Sequence, residues 1–141
     1  MKELVYLFVY GTLRKEYGSP FHKEHAEELE WMGTGEISGR LYDIGEYPGA
    51  SPQLDVHDSI ILGDVFRLRE PKKFLELLDQ YENYDPLNAE GSEYVRGEVS
   101  VRLENEEQLS AWIYWYNGSL AEKKIIREKD YLNYLNKKAS T

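Results

Sequence analysis

The chain has 141 residues, which fits one domain by the usual figure of roughly 150 residues. Its 26 acidic against 17 basic residues leave a net charge of −9 that repels nucleic-acid phosphates and anionic membranes, and Lys72-Lys73, Lys123-Lys124 and Lys137-Lys138 lie among acids or near the tail and form no basic patch. With no cysteine there is no disulfide, thiolate nucleophile or cysteine zinc site, and no apolar run approaches the ~20 residues of a membrane span. Met1-Lys2-Glu3-Leu4 leads into a strand and not a signal-peptide core, so the expectation is a cytoplasmic protein without nucleic-acid or membrane partners, a monomer or a homodimer.

In chain order, Val5 to Tyr10 reads as an apolar strand that runs directly into Gly11-Thr12-Leu13-Arg14. Such a glycine-hydroxyl turn lets backbone amides converge on a carboxylate or phosphate, although many strands end in Gly-Thr only to turn a corner. Pro20 to Trp31 predicts a helix, and Ile37 to Tyr42 and Ile60 to Leu68 predict strands. Pro71 to Glu82 predicts a helix with Phe74, Leu77, Leu78 and Tyr81 as its apolar stripe and Lys72, Lys73, Glu76, Asp79 and Gln80 opposite. In Val95 to Leu103, Val99, Val101 and Leu103 alternate with polar residues, giving a strand with one wet face. Ala111 to Tyr116 is apolar or aromatic on both faces and should be central. Ser119 to Leu135 predicts one or two further helices, opened by a capping box at Ser119-Leu120-Ala121-Glu122. Few helices and clustered strands describe an α+β domain over residues 1–141, its sheet curved or closed into a barrel.

Glu82 is the acid that stands out. At 100° per residue it projects between Leu78 and Leu75, toward the apolar arc, at the carboxyl end of its helix. Desolvation and the negative end of the helix dipole both oppose ionisation there, which raises a carboxyl pKa toward the range useful for proton transfer. A frayed last turn that lets the side chain swing into water is the competing reading. His22 and His25, spaced i, i+3, lack a third ligand, so no metal is expected. His57-Asp58 with Ser51 or Ser59 lacks a nucleophile elbow. Pairing Glu82 with Asp85 or Glu93 as glycosidase carboxylates lacks an identifiable carbohydrate platform.

Six blocks in order carry a resemblance: Tyr10-Gly11-Thr12-Leu13; Gly39 to Gly45 with Tyr47-Pro48; Gly63-Asp64-Val65-Phe66; Leu78-Asp79 with Tyr81-Glu82; Tyr94-Val95-Arg96; and Ala111-Trp112-Ile113-Tyr114. Together they resemble the γ-glutamylcyclotransferase-like proteins, also called AIG2-like or BtrG-like, with the small bacterial-type members and the γ-glutamylamine cyclotransferases most similar. Lys129-Asp130-Tyr131-Leu132 resembles that family's short final helix. The resemblance implies a mixed β-barrel flanked by helices, with the Tyr-Gly-Thr-Leu turn at the mouth of a pocket and a glutamate opposite. It also implies a cofactor-independent enzyme that cyclises a γ-glutamyl amide to 5-oxoproline and releases a free amine, with Glu82 as acid-base residue. The substrate-binding set would be Tyr10, Gly11, Thr12, Leu13, Arg14 and Tyr116. The alternative is a module on the same scaffold that binds such a metabolite without turnover. Asn83 to Ser92, longer and more polar than the family's shortest loops, is a candidate cover for the pocket.

Overall fold

A computed structural model describes residues 4–52 and 59–139. Strand β1 (Tyr6–Val9) is buried on both faces, with Phe8 and Tyr10 pointing into one apolar cluster and Leu7 and Val9 into another. That two-sided burial explains its unbroken apolar run. Helix α1 (Pro20–Glu24) is short, with Ser19 accepting a hydrogen bond from the His22 amide and Pro20 in its first turn. The helix predicted to reach Trp31 ends here: after a single 3-10 turn the chain becomes β2 (Leu29–Ser38), which pairs with β5 (Ile60–Leu68) from Leu29↔Leu68 to Ser38↔Ile60. A long antiparallel ladder outcompetes local helical periodicity, and Gly33 at φ 126° lets a bulge pass between Trp31 and Gly33.

The predicted strand at Ile37 to Tyr42 is divided at Gly39, after which β3 (Arg40–Asp43) joins a separate sheet with β4 (Pro48–Ser51) and β8 (Lys124–Ile126) in the order β4-β3-β8. β4, with its Pro48-Gly49 start, lacks a strand-like composition, and the three-residue β8 is too short to show a period. Helix α2 (Pro71–Tyr81) packs on the outer face of the barrel, followed by β6 (Tyr94–Leu103) and β7 (Gln108–Tyr116). The barrel closes in the order β1-β5-β2-β6-β7, with β1 against β7 in parallel at Leu7↔Trp112 and every other neighbour antiparallel. It is therefore a mixed barrel, and β7 is an interior member with neighbours on both sides.

The carboxyl-terminal helical reading is corrected. Glu122 sits at φ 65° and Ser119 Oγ accepts from the Ala121 amide, so the capping box does not form and the local chain is a turn. Only Tyr131–Ala139 is helical (α3), opened by Asp130, whose carboxylate accepts from the Leu132 amide at 2.9 Å. Tyr131 and Tyr134 from α3 complete the cluster that fills the barrel and backs the small sheet. Among the described residues no helix is long and apolar enough to cross a membrane.

Candidate active site

The carboxyl end of β1 and the carboxyl end of α2 meet at one cavity of about 270 Å³. Its walls are Phe8 to Leu13 from β1 and the following turn, Tyr47 and Pro48, Tyr81 to Asn83, Glu93 and Tyr94, and Tyr114. The turn is tight: the Arg14 amide donates to the Gly11 carbonyl at 3.1 Å. Gly11 is required for close approach and not for positive φ, because a Cβ there would lie 2.8 Å from Pro48 Cγ. Among the described residues the Thr12 and Leu13 amides meet no acceptor, which leaves two donors at the pocket wall. The turn is held from behind by His22 Nδ1 on the Leu13 carbonyl at 3.1 Å and by Asp64, which accepts from the Lys15 amide at 2.8 Å. His22 thus has a partner in the fold, and His25 lies between Phe21 and Phe74. No cluster of three or more metal-ligating side chains occurs among the described residues.

Helix α2 reaches the cavity along a stripe one step round from the expected one. Phe74, Leu75, Leu78 and Asp79 are buried, while Leu77 and Tyr81 are 36% and 44% exposed. Asp79 was expected on the wet side; instead it accepts from Arg96 at 2.9 and 3.1 Å and from the Tyr114 hydroxyl at 2.6 Å, and that network compensates its burial. Glu82, three residues on, is half-buried and carries the stripe into the pocket wall. The last turn does not fray. Asn83 adopts φ 55°, its amide bonds to the Gln80 carbonyl, and the Tyr84 amide reaches back to Asp79 at 2.8 Å, a Schellman termination with asparagine in the left-handed position.

The Glu82 carboxylate accepts no hydrogen bond and forms no ion pair among the described residues. Burial first, and the Glu93 carboxylate second, raise its pKa from 4.5 to about 7. Glu93 is held in the opposite way: Tyr47 donates its hydroxyl at 2.5 Å to one carboxylate oxygen and Asn83 its amide at 3.0 Å to the other. The bond to Glu93, with burial, pushes the Tyr47 hydroxyl up to about 12. Burial also raises Tyr10 and Tyr94, whose hydroxyls donate to the Tyr114 and Pro48 carbonyls at 2.6 and 2.7 Å. These tyrosines stay neutral and fix the wall.

Tyr10, Gly11, Thr12, Leu13 and Glu82 are therefore brought together. Arg14 and Tyr116 lie outside the cavity lining. Arg14 is 4% exposed and its guanidinium turns away to Asp130 at 2.7 Å and Asp64 at 3.6 Å, tying the turn to α3 and β5. Tyr116 packs edge-on against Tyr94, with ring centroids 5.5 Å apart. Of the loop from Asn83 to Ser92, only Asn83 reaches the cavity, so the loop does not cover it. Asp85 caps its own turn at the Leu87 amide and also stays outside. His57 and Asp58 fall outside the described residues, while Ser59 donates to the Gly39 carbonyl. Sequence reasoning missed Tyr47, Asn83 and Glu93 as one group. The signals available were the Tyr47-Pro48 pair and the helix-ending Glu82-Asn83 step.

A family model described as gamma-glutamyl cyclotransferase, AIG2-like, matches residues 7–133. The chain belongs to this family. Relatives include the gamma-glutamylcyclotransferase family protein YtfP of Escherichia coli, 29% identical over 134 residues that cover 90% of this chain and 96% of YtfP. YkqA of Bacillus subtilis superposes with a TM-score of 0.73 at 23% identity over 99% of this chain, which spans only 44% of YkqA. An AIG2-like protein of mouse superposes at 0.69 with 22% identity, covering 92% and 89% of the two chains. At these identities the two structural likenesses carry the fold. The cyclotransferase-family match spans both halves of the cavity, from β1 through Glu82 to β7.

Proposed function

We propose that the protein cyclises a γ-glutamyl amide to 5-oxoproline with release of a free amine, Glu82 moving the protons. The observation that carries the reading is the Glu82 carboxyl itself: unpaired among the described residues, aimed into a cavity, with a pKa near 7. A carboxyl in that state both accepts and donates protons at neutral pH.

The pocket holds the glutamyl chain folded, so that the α-nitrogen faces its own side-chain carbonyl carbon, a placement worth several kcal/mol in favourable intramolecular reactions. Glu82 takes one proton from the α-ammonium. The freed amine adds to the carbonyl carbon and forms the C–N bond of the five-membered ring, while Thr12 and Leu13 amides receive the developing oxyanion or the α-carboxylate. Glu82 then returns its proton to the leaving nitrogen as the old C–N bond breaks. It takes the second proton from the ring nitrogen and passes it to the departing amine, which leaves as an ammonium ion. Atoms and charge balance without a cofactor, redox partner or water.

The test is mass-spectrometric detection of 5-oxoproline from a panel of γ-glutamyl amides, with the native protein and Glu82→Gln side by side. Product from the native protein alone is the expected result. Equal product from both removes Glu82 from the mechanism. Ligand-induced thermal shifts with product from neither favour the binding-module alternative.

A further inference from the structure

Behind the cavity wall, polar groups converge on the segment that presents the Thr12 and Leu13 amides. Among the described residues, Gly11 to Tyr17 holds two backbone hydrogen bonds of its own, from the Arg14 amide to the Gly11 carbonyl and from the Tyr17 amide to the Arg14 carbonyl, both at 3.1 Å. Side chains supply further anchors: Asp64 Oδ2 accepts from the Lys15 amide at 2.8 Å, and His22 Nδ1 meets the Leu13 carbonyl at 3.1 Å. Arg14 Nη1 donates to Asp130 Oδ1 at 2.7 Å, while its buried Nε stands 3.6 Å from Asp64 Oδ2. Asp130 is itself fixed at both sides. Its Oδ1 accepts from the Leu132 amide at 2.9 Å as the cap of α3, and the preceding Lys129 carbonyl accepts from the Leu62 amide of β5 at 2.9 Å.

Arg14, Lys15, His22, Asp64 and Asp130 all lie outside the cavity lining, so this frame acts on the wall from behind. The Arg14 and Asp64 side chains are each 5% exposed, and an apolar pair of similar volume would fill that space at less cost in desolvation. What a guanidinium adds is direction, because its planar fork presents donors at fixed angles. Here it pins the residue next to Leu13 between β5 and the start of α3. No lysine, arginine or histidine lines the cavity among the described residues, so an anionic group there meets amide dipoles, whose value depends on their aim.

We propose that Arg14 is a positioning residue: bridging Asp64 and Asp130, it keeps the Thr12 and Leu13 amides aimed into the cavity and makes α3 part of the frame of the site. Its effect on turnover rests on the cyclisation reading above. Arg14 acts through the backbone and touches no substrate.

Two variants weaken the bridge in different ways. Arg14→Lys keeps the charge and loses the fork, whereas Asp130→Asn keeps a capping side chain on α3 and loses the ionic partner. Tyr134→Phe is the control, since it removes the α3 bond to Asp43 and leaves the turn alone. With the γ-glutamyl amide that gives most 5-oxoproline in the panel above, kcat/KM should fall about tenfold in Arg14→Lys, less in Asp130→Asn, and stay unchanged in Tyr134→Phe. The midpoint of the pH profile should not move, because burial and Glu93 set the Glu82 pKa. Amide hydrogen exchange, followed by NMR on the same proteins, should quicken from Gly11 to Lys15 in the two bridge variants and not in β1 or β5. A loss of turnover without turn-confined exchange, faster exchange without a loss of turnover, or an equal loss in Tyr134→Phe overturns the proposal. If Arg14→Lys does not fold, Asp130→Asn decides by the same measurements. If the native protein turns over none of the amides, the cyclisation reading fails and exchange decides the positioning role separately: quickening confined to the turn upholds it, and quickening spread through β1 and β5, or none, overturns it.

Discussion

Asp79 and Glu82 leave the same helix three residues apart and are both drawn toward the barrel, yet they are treated in opposite ways. Asp79 receives the Arg96 guanidinium and the Tyr114 hydroxyl, and so locks α2 to β6 and β7. Glu82 receives nothing from the described residues and has a second carboxylate as its neighbour. Burial alone therefore does not mark a functional acid in this fold. Burial without compensation is what singles out Glu82 as the candidate acid, since an unpaired carboxyl costs stability that a merely structural position has no reason to incur.

The contrast breaks most directly at Glu82. Replacing Glu82 by Gln keeps shape and removes proton transfer, and should lower kcat by about 10²–10⁴-fold with an unchanged circular dichroism spectrum. Asp79→Ala should act on the other side of the comparison: stranding Arg96 and Tyr114 costs about 3 kcal/mol in chemical denaturation, and activity falls only as the fold loosens. Gly11→Ala tests the turn that shares the cavity with Glu82. A Cβ at 2.8 Å from Pro48 Cγ forces the turn or the proline to move, with an expected cost of about 1–3 kcal/mol and a rise in KM.

The pH dependence sharpens the comparison further. The folded-state pKa of Glu82 is raised above its ordinary value, so its contribution to stability is complete below pH 4.5 and is lost as pH rises through about 7. Glu82→Gln should therefore gain on the native protein between those limits, its relative stability rising by about 3 kcal/mol from pH 4 to pH 8 in denaturant titrations. If the proposed reaction starts from the Glu82 carboxylate, kcat/KM should climb with pH along a limb centred near 7. An activity profile flat from pH 5 to 8, like an acid-independent stability difference, would show Glu82 to be as solvated as an ordinary surface glutamate.

The residue-level reading of α2 illustrates how far sequence carries. Projecting Glu82 between Leu75 and Leu78 was sound because those two side chains are in fact buried, at 8% and 0% exposure. Helical periodicity alone places Asp79 on the wet side, and the structure buries it because its partners, Arg96 and Tyr114, arrive from strands much later in the chain. Arg14 departs from its expected place at the cavity for the same reason. Its partners Asp64 and Asp130 come from β5 and from the start of α3 and draw its charge away from the cavity. Where the chain lacked a strand-like composition, as at Pro48 to Ser51, the ladder with β3 decided the conformation.

Sequence by itself determined the α+β class, the glycine turn after β1 and the direction of Glu82, because each is written in local spacing: an apolar run, a turn residue or a helical period; six short blocks in order carried the resemblance to the family and its barrel. Tertiary structure alone decided which acids would be compensated. Compensation needs donors from distant segments to arrive at hydrogen-bond distance, and the closure of β1 against β7 and the return of the chain from Asn83 to Glu93 set those distances.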